Sequence, residues 1–404
     1  MIHYKVISGL FLLNIFTTIY LFNDISEKSV HANFASLIGS IITNKGFMNF
    51  NNYYKYVKIA ALVSLLFTSI HAMFCMTAPG IYLKIQVYLC LFTTLITLIC
   101  SIYLLFTEDN KFYSVLSILG CIGNYFYYRY LKSLTKNLGN TLQKSVKLII
   151  KNSSVLLIVV MQTIFVYAIA LCYALSSLLA FSIKESRYVY IYFIFSYIWI
   201  YTTSKYVLET TTVGLIQNDR KENSIPAFKS YFDSITYKLG SNALAGLILS
   251  SLYLIKILTV LKSDDDKDKD DDKKEKKNDF LKSIFDFIYS QLHKIIKYFN
   301  HYGLIYVGLY DMKFLDGCHK VVSESWFSLY ERSTKKSLIT NSINFYSFLF
   351  TLAAFLFTFC LQKDTTITTK ILTVILTCTF QSLFFSSVSL VSEAYLIESI
   401  KGKM

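Results

Sequence analysis

Residues 188–215 read YVYIYFIFSYIWIYTTSKYVLETTTVGL, an aliphatic stretch crowded with rings and carrying one lysine and one glutamate. Aromatic faces attract cations through the ring quadrupole, and a carboxylate adds a fixed negative charge. Tyr197, Trp199, Tyr201 and Tyr206 supply the rings, and Glu209 supplies the acid. Such a set can hold a small cation, and Glu209 can also carry a proton. Lys205 stands four residues before Glu209 on the same helical face, where the two can instead neutralise each other. The rings have a plainer reading as well. With 32 Tyr and 33 Phe, aromatics are the ordinary filler of this chain. Trp199 stands out because only two tryptophans exist, although an indole also serves as an interfacial anchor.

A second acid, Glu393, continues a stripe of Ser382, Ser386 and Ser389 at three-to-four spacing. That polar face either lines a cavity or forms a helix interface near the cytoplasmic rim. Small residues concentrate at Gly240, Ser241, Ala243, Ala245 and Gly246, with Ser241 and Ala245 as a small-xxx-small pair. Helices in lipid associate through such faces, and a small-faced helix can also border a central cavity or slide during a transport cycle. His71 lies alone in an apolar run and reads as a core histidine. His319 is close to Asp316 and Cys318, but that spacing suits no metal. The eight cysteines are scattered without a CxxC pair and read as small hydrophobes. No cofactor or metal is expected.

The elements that position these residues follow from composition. The 404 residues are 54% hydrophobic and only 16% charged, which places the chain in the membrane class. Nine runs carry no Asp, Glu, Lys or Arg: 6–23, 59–76, 85–107, 112–128, 152–183, 188–204, 239–255, 337–362 and 371–392. About 20 apolar residues cross the hydrocarbon as a helix, and these runs are too continuous for barrel strands. The expected fold is all-α: a polytopic integral membrane protein, one domain across 1–404, with about ten transmembrane helices and one amphipathic surface helix. The first run lacks a small-residue cleavage site after it and reads as a retained span. A basic loop at 129–151, without a single acid, should stay cytoplasmic and places both termini there. The charged segment 263–279 reads as a disordered loop. Residues 280–299 read as an amphipathic interfacial helix, and 302–331 as the weakest span. The net charge of +14 lies largely in loops beside spans and implies no nucleic acid.

Three motifs resemble the choline transporter-like family, which includes the fungal Pns-type members. YKLGSNALAGLIL, starting at Tyr237, is similar to its signature helix, preceded by the Ile-Pro of SIPAFKSYFDSITYKLGS. NHYGLIYVGLYDMKFLDGC, starting at Asn300, resembles a second family block. FFSSVSLVSE, with Phe384, Phe385, Ser386 and Glu393, resembles a third. The resemblance covers roughly 200–400. Lys205 departs from it, standing where the family usually has glutamine. The resemblance implies facilitated or proton-coupled transport of choline or ethanolamine by alternating access, in the plasma membrane, and without enzymatic activity. It adds Tyr237 and Tyr310, which match family tyrosines, to a substrate set of Trp199, Tyr201, Tyr206, Glu209, Ser241 and Glu393. A non-transporting scaffold and a membrane enzyme of lipid head-group metabolism are the alternatives. The enzyme would need a polar catalytic cluster inside the spans, and the sequence offers none.

Overall fold

Backbone polar groups inside lipid must pair within their own segment, and a helix does so without neighbours. The computed structural model describes residues 2–29, 50–107, 111–182, 187–223, 225–265, 272–324, 326–361 and 367–401, and no strand occurs among them. The helices are α1 (Ile2–Ser29), α2 (Phe50–Thr77), α3 (Pro79–Thr107), α4 (Lys111–Lys151), α5 (Ser154–Ser182) and α6 (Arg187–Arg220). They continue with α7 (Pro226–Ile235), α8 (Leu239–Asp265), α9 (Asp272–Tyr310), α10 (Phe314–Ser323), α11 (Trp326–Leu361) and α12 (Ile367–Lys401). Each uncharged run falls almost wholly on one helix. Five or six helices among the described residues are long and apolar enough to cross a bilayer. The protein is an all-α integral membrane protein.

The chain forms two compact units. One comprises Met1–Met48 and Ser154–Glu324, the other Asn49–Ser153 and Ser325–Met404. In the second unit, Pro79 opens α3 at a position where a missing N–H costs nothing. Gly139 of α4 packs against this corner, its absent side chain leaving room for the backbone of Gly80. His71 of α2 is fully buried, with Nε2 3.0 Å from the Tyr82 hydroxyl and the rings of Phe350 and Phe385 against it. It is a core histidine. The basic segment 129–151 is not a loop but the second half of the continuous helix α4. The reason is an apolar stripe that the charge pattern obscures. Leu131, Leu138, Leu142, Val146 and Ile149 recur at helical spacing and are buried, while Lys144, Lys147 and Lys151 point away from the core.

The first unit gathers α1 and α5–α10. The first span belongs to its core: Phe11 of α1 packs edge-on against Trp199 of α6, with ring centroids 5.4 Å apart. Asn14 accepts hydrogen bonds from Ser196 at 2.8 Å and Tyr192 at 3.0 Å through its side-chain oxygen. The segment 302–331 is not one helix. α9 ends at Tyr310, residues 311–313 break the helix, and the ten-residue α10 follows. α10 packs back onto α9 at two glycines. A Cβ on Gly317 would lie 2.6 Å from the Gly303 carbonyl oxygen, and one on Gly303 would lie 2.7 Å from Cys318 Sγ. The charges that weakened this span in the sequence mark the place where the chain turns. Segment 280–299 is the amphipathic first part of α9, with Phe287, Ile288, Leu292 and Ile295 exposed. Helix continues to Asp265 and resumes at Asp272, and residues 266–271 of the charged segment lie outside the described residues.

Candidate functional site

The first unit is organised around the contact of α6, α8 and α9. α6 is rich in threonine, which in water would favour other conformations. Inside the fold its hydroxyls bond back to the preceding turn: Thr202 to Ile198, Thr210 to Tyr206, Thr211 to Val207 and Thr212 to Leu208. The small residues of α8 let α6 approach closely. A Cβ on Gly246 would stand 2.5 Å from Thr203 Oγ1, and Thr202 Oγ1 lies 3.1 Å from Ser250 Oγ. Gly240 admits α1 in the same way, since a Cβ there would collide with the Tyr4 carbonyl. With no bulky side chains above them, two α8 carbonyls receive donors from neighbouring helices. Trp199 Nε1 donates to the Ala243 oxygen at 2.9 Å, and Asn300 Nδ2 of α9 to the Ala245 oxygen at 2.9 Å.

Asn300 also reaches the Tyr206 hydroxyl, 3.4 Å away. One residue further along α9, His301 Nδ1 lies 3.4 Å from Glu209 Oε2. Lys205 Nζ lies 3.9 Å from the other carboxylate oxygen, and half of its side chain is exposed. Glu209 is therefore held between two nitrogens, neither at close hydrogen-bond distance, and 15% of its side chain remains exposed. The Tyr302 ring sits 5.3 Å from the His301 ring, and Tyr298 lies 4.5 Å from Tyr302. A partly exposed carboxylate, with tyrosine rings against the histidine that faces it, can receive a small cation.

The expected site residues divide. Tyr206 and Glu209 come together, joined by Asn300 and His301. Trp199 is buried with Phe11, Tyr173, Phe193 and Ile200, its indole N–H committed to the α8 backbone. Ser241 is buried in the first turn of α8. Tyr310 stacks on Tyr306 at the end of α9. Tyr201 is exposed on another face of α6, and Tyr237, in the turn before α8, is 82% exposed. Glu393 belongs to the second unit, 2% exposed, with Lys336 Nζ 2.8 Å from its carboxylate. His301 was not anticipated. A histidine and an asparagine side by side within an apolar block would have been the signal, because polar groups at membrane depth are costly and purposeful.

The Trp199 geometry makes a direct prediction. Trp199→Phe keeps a ring and removes the N–H, so the purified protein should lose about 1 kcal/mol of stability, the scale of one interhelical hydrogen bond. A lowered thermal midpoint with an unchanged circular dichroism spectrum would show it.

The family described as plasma-membrane choline transporter matches residues 114–400. Three fungal relatives carry the name Protein PNS1. The Debaryomyces hansenii protein is 28% identical over 167 residues, 39% of this chain and 32% of that protein. The Saccharomyces cerevisiae protein is 27% identical over 130 residues, 32% of this chain and 23% of that one. The Kluyveromyces lactis protein is 27% identical over 127 residues, 31% of this chain and 22% of that one. The matched stretches thus span a third or less of each relative. The family match takes in α5 to α11 whole and nearly all of α4 and α12, including every helix of the α6–α8–α9 contact, and this chain belongs to the plasma-membrane choline transporter family.

Proposed function

We propose that this chain carries choline or a related small amine such as ethanolamine across a membrane by alternating access, with Glu209 as the charge that the cation meets. The observation that carries this reading is the placement of Glu209. It is an acid with 15% of its side chain exposed at the junction of three helices, one turn from Tyr206, with long contacts to Lys205 and to His301, whose ring Tyr302 flanks. A quaternary ammonium has no N–H to donate. It would sit against ring faces with the carboxylate nearby, which suits contacts that are loose in the empty state. A primary ammonium could instead donate directly to Glu209. A proton on His301 or Glu209 would compete with either cation, and this is the route by which a proton could couple to transport.

In this reading the whole chain is one transporter domain, not an enzyme, in the plasma membrane with both termini cytoplasmic. The amphipathic part of α9, 280–299, lies along the bilayer surface, and Tyr310 and Tyr237 flank the path at the one end where Lys238 meets Asp311. The test is direct. Purified protein in liposomes should accumulate labelled choline at a rate above that of protein-free vesicles, and unlabelled choline should suppress it. Uptake equal to that of empty vesicles for both choline and ethanolamine would leave the reading without support.

A further inference from the structure

One carboxylate ties together the ends of the three helices that build the site. Asp311 directly follows α9. Lys238, the residue before α8, places Nζ 2.7 Å from Asp311 Oδ1 and donates also to the Gly308 carbonyl oxygen at 3.3 Å. Lys221, the residue after α6, places Nζ 4.0 Å from Asp311 Oδ2. The Lys238 side chain is buried where α6 and α9 come together. A Cβ on Gly214 would lie 3.7 Å from both the Gly308 oxygen and Lys238 Nζ. On the other side of the same contact, Gly308 has no room for a Cβ against Val213.

Three features distinguish this contact from a permanent weld. Asp311 has φ 53°, a left-handed conformation that a residue with a side chain adopts at a cost. Aspartate is among the few residues that visit this region at small cost, and the Lys238 ammonium at 2.7 Å holds its carboxylate in place. Asp311 and Lys221 are both half exposed, so water can solvate them when they part. The connection 311–313 is not helical, which leaves a place for the chain to swing.

We propose that Lys221, Lys238 and Asp311 form an ionic joint that closes one end of the α6–α8–α9 site and parts during each transport cycle. The joint rests on the transport reading above. When it is closed, the helix ends are clamped and the Glu209 region is shut off at that end. When it opens, the Asp311 carboxylate is released and α9 with α10 can tilt away from α6.

The test uses the full chain carrying Lys221→Cys and Asp311→Cys in liposomes, treated with a short, cleavable, bifunctional thiol reagent. Wild-type protein treated alike controls for the native cysteines. Choline uptake should fall by about tenfold or more on cross-linking and return on cleavage. Uptake by the verified cross-linked protein within about twofold of the uncross-linked form would reveal a fixed strut and overturn the joint, while leaving transport intact. No uptake by untreated wild-type protein would overturn the transport reading and the joint together. Should Asp311→Cys fail to fold, Lys221→Cys with Lys313→Cys spans the same corner, keeps the Lys238–Asp311 contact and is read in the same way.

Discussion

Glu209→Gln should lower the initial rate of choline uptake by tenfold or more, while the protein still inserts, purifies and melts near the wild-type temperature. The size of the effect follows from what the change leaves behind. Glutamine keeps the shape of the side chain and removes its charge. Lys205, now facing a neutral amide, no longer has its charge balanced, and an arriving cation meets net repulsion. Two unit charges about 4 Å apart near a protein surface interact by about 4 kcal/mol, and about 1.4 kcal/mol is tenfold in binding. Stability should change little, because both contacts to Glu209 are long and Lys205 is half exposed, a geometry worth little. A neutral analogue of choline, with carbon in place of nitrogen, sharpens the result. It should compete poorly with choline in the wild type and nearly as well as choline in the variant. Wild-type uptake rates in Glu209→Gln would remove this residue from the path.

Gly317→Ala should destabilise the protein far more than the size of a methyl group suggests. The added carbon would stand 2.6 Å from the Gly303 carbonyl oxygen and 3.3 Å from two further Gly303 backbone atoms. No rotamer relieves that clash, since the opposing atoms are backbone. α10 must lift from α9, at a cost of about 1–3 kcal/mol by analogy with overpacked cores. Lifting α10 also disturbs His301, two residues before Gly303, so uptake should fall together with the thermal midpoint. Gly123→Ala is the control. Its Cβ meets nothing within 4 Å, and alanine in an exposed helical position should be neutral or mildly stabilising. Equal melting of the two variants would contradict the close helix contact.

The helices were legible because charge is expensive in hydrocarbon and its absence over some twenty residues leaves a strong mark, although five or six of them among the described residues, against about ten expected, are long and apolar enough to cross. All nine uncharged runs lie on helices. The role of the small residues in α8 was legible for the same reason: glycine and alanine amid aliphatics have few uses other than close approach. Other features were hidden by long-range pairing. Lys205 is four residues from Glu209 and was the obvious partner, yet the closer nitrogen belongs to His301, 92 positions away. The many tyrosines could not be sorted, because Tyr201 and Tyr206 differ only in which side of α6 they occupy, and helix orientation depends on neighbours. The basic half of α4 resembles a loop in sequence because six positive charges mask the helical spacing of its buried leucines. The break at 311–313 was visible only as a cluster of charges, which a surface loop would show equally well. Family resemblance was traceable in three motifs beyond residue 200, whereas the family match begins at 114.

The threonines of α6 carry one further consequence. Because Thr211 and Thr212 spend their hydroxyls on their own helix, these two donors are satisfied wherever the helix goes. Rotation or axial slip of α6 would strand none of these groups in the lipid-like interior, so the penalty that freezes most polar surfaces in place does not arise there. Its neighbours hold it at other points, among them the indole of Trp199 on Ala243, the amide of Gln162 on Ser204 and the amide of Asn242 on Thr210, and these are the contacts about which motion would have to pivot.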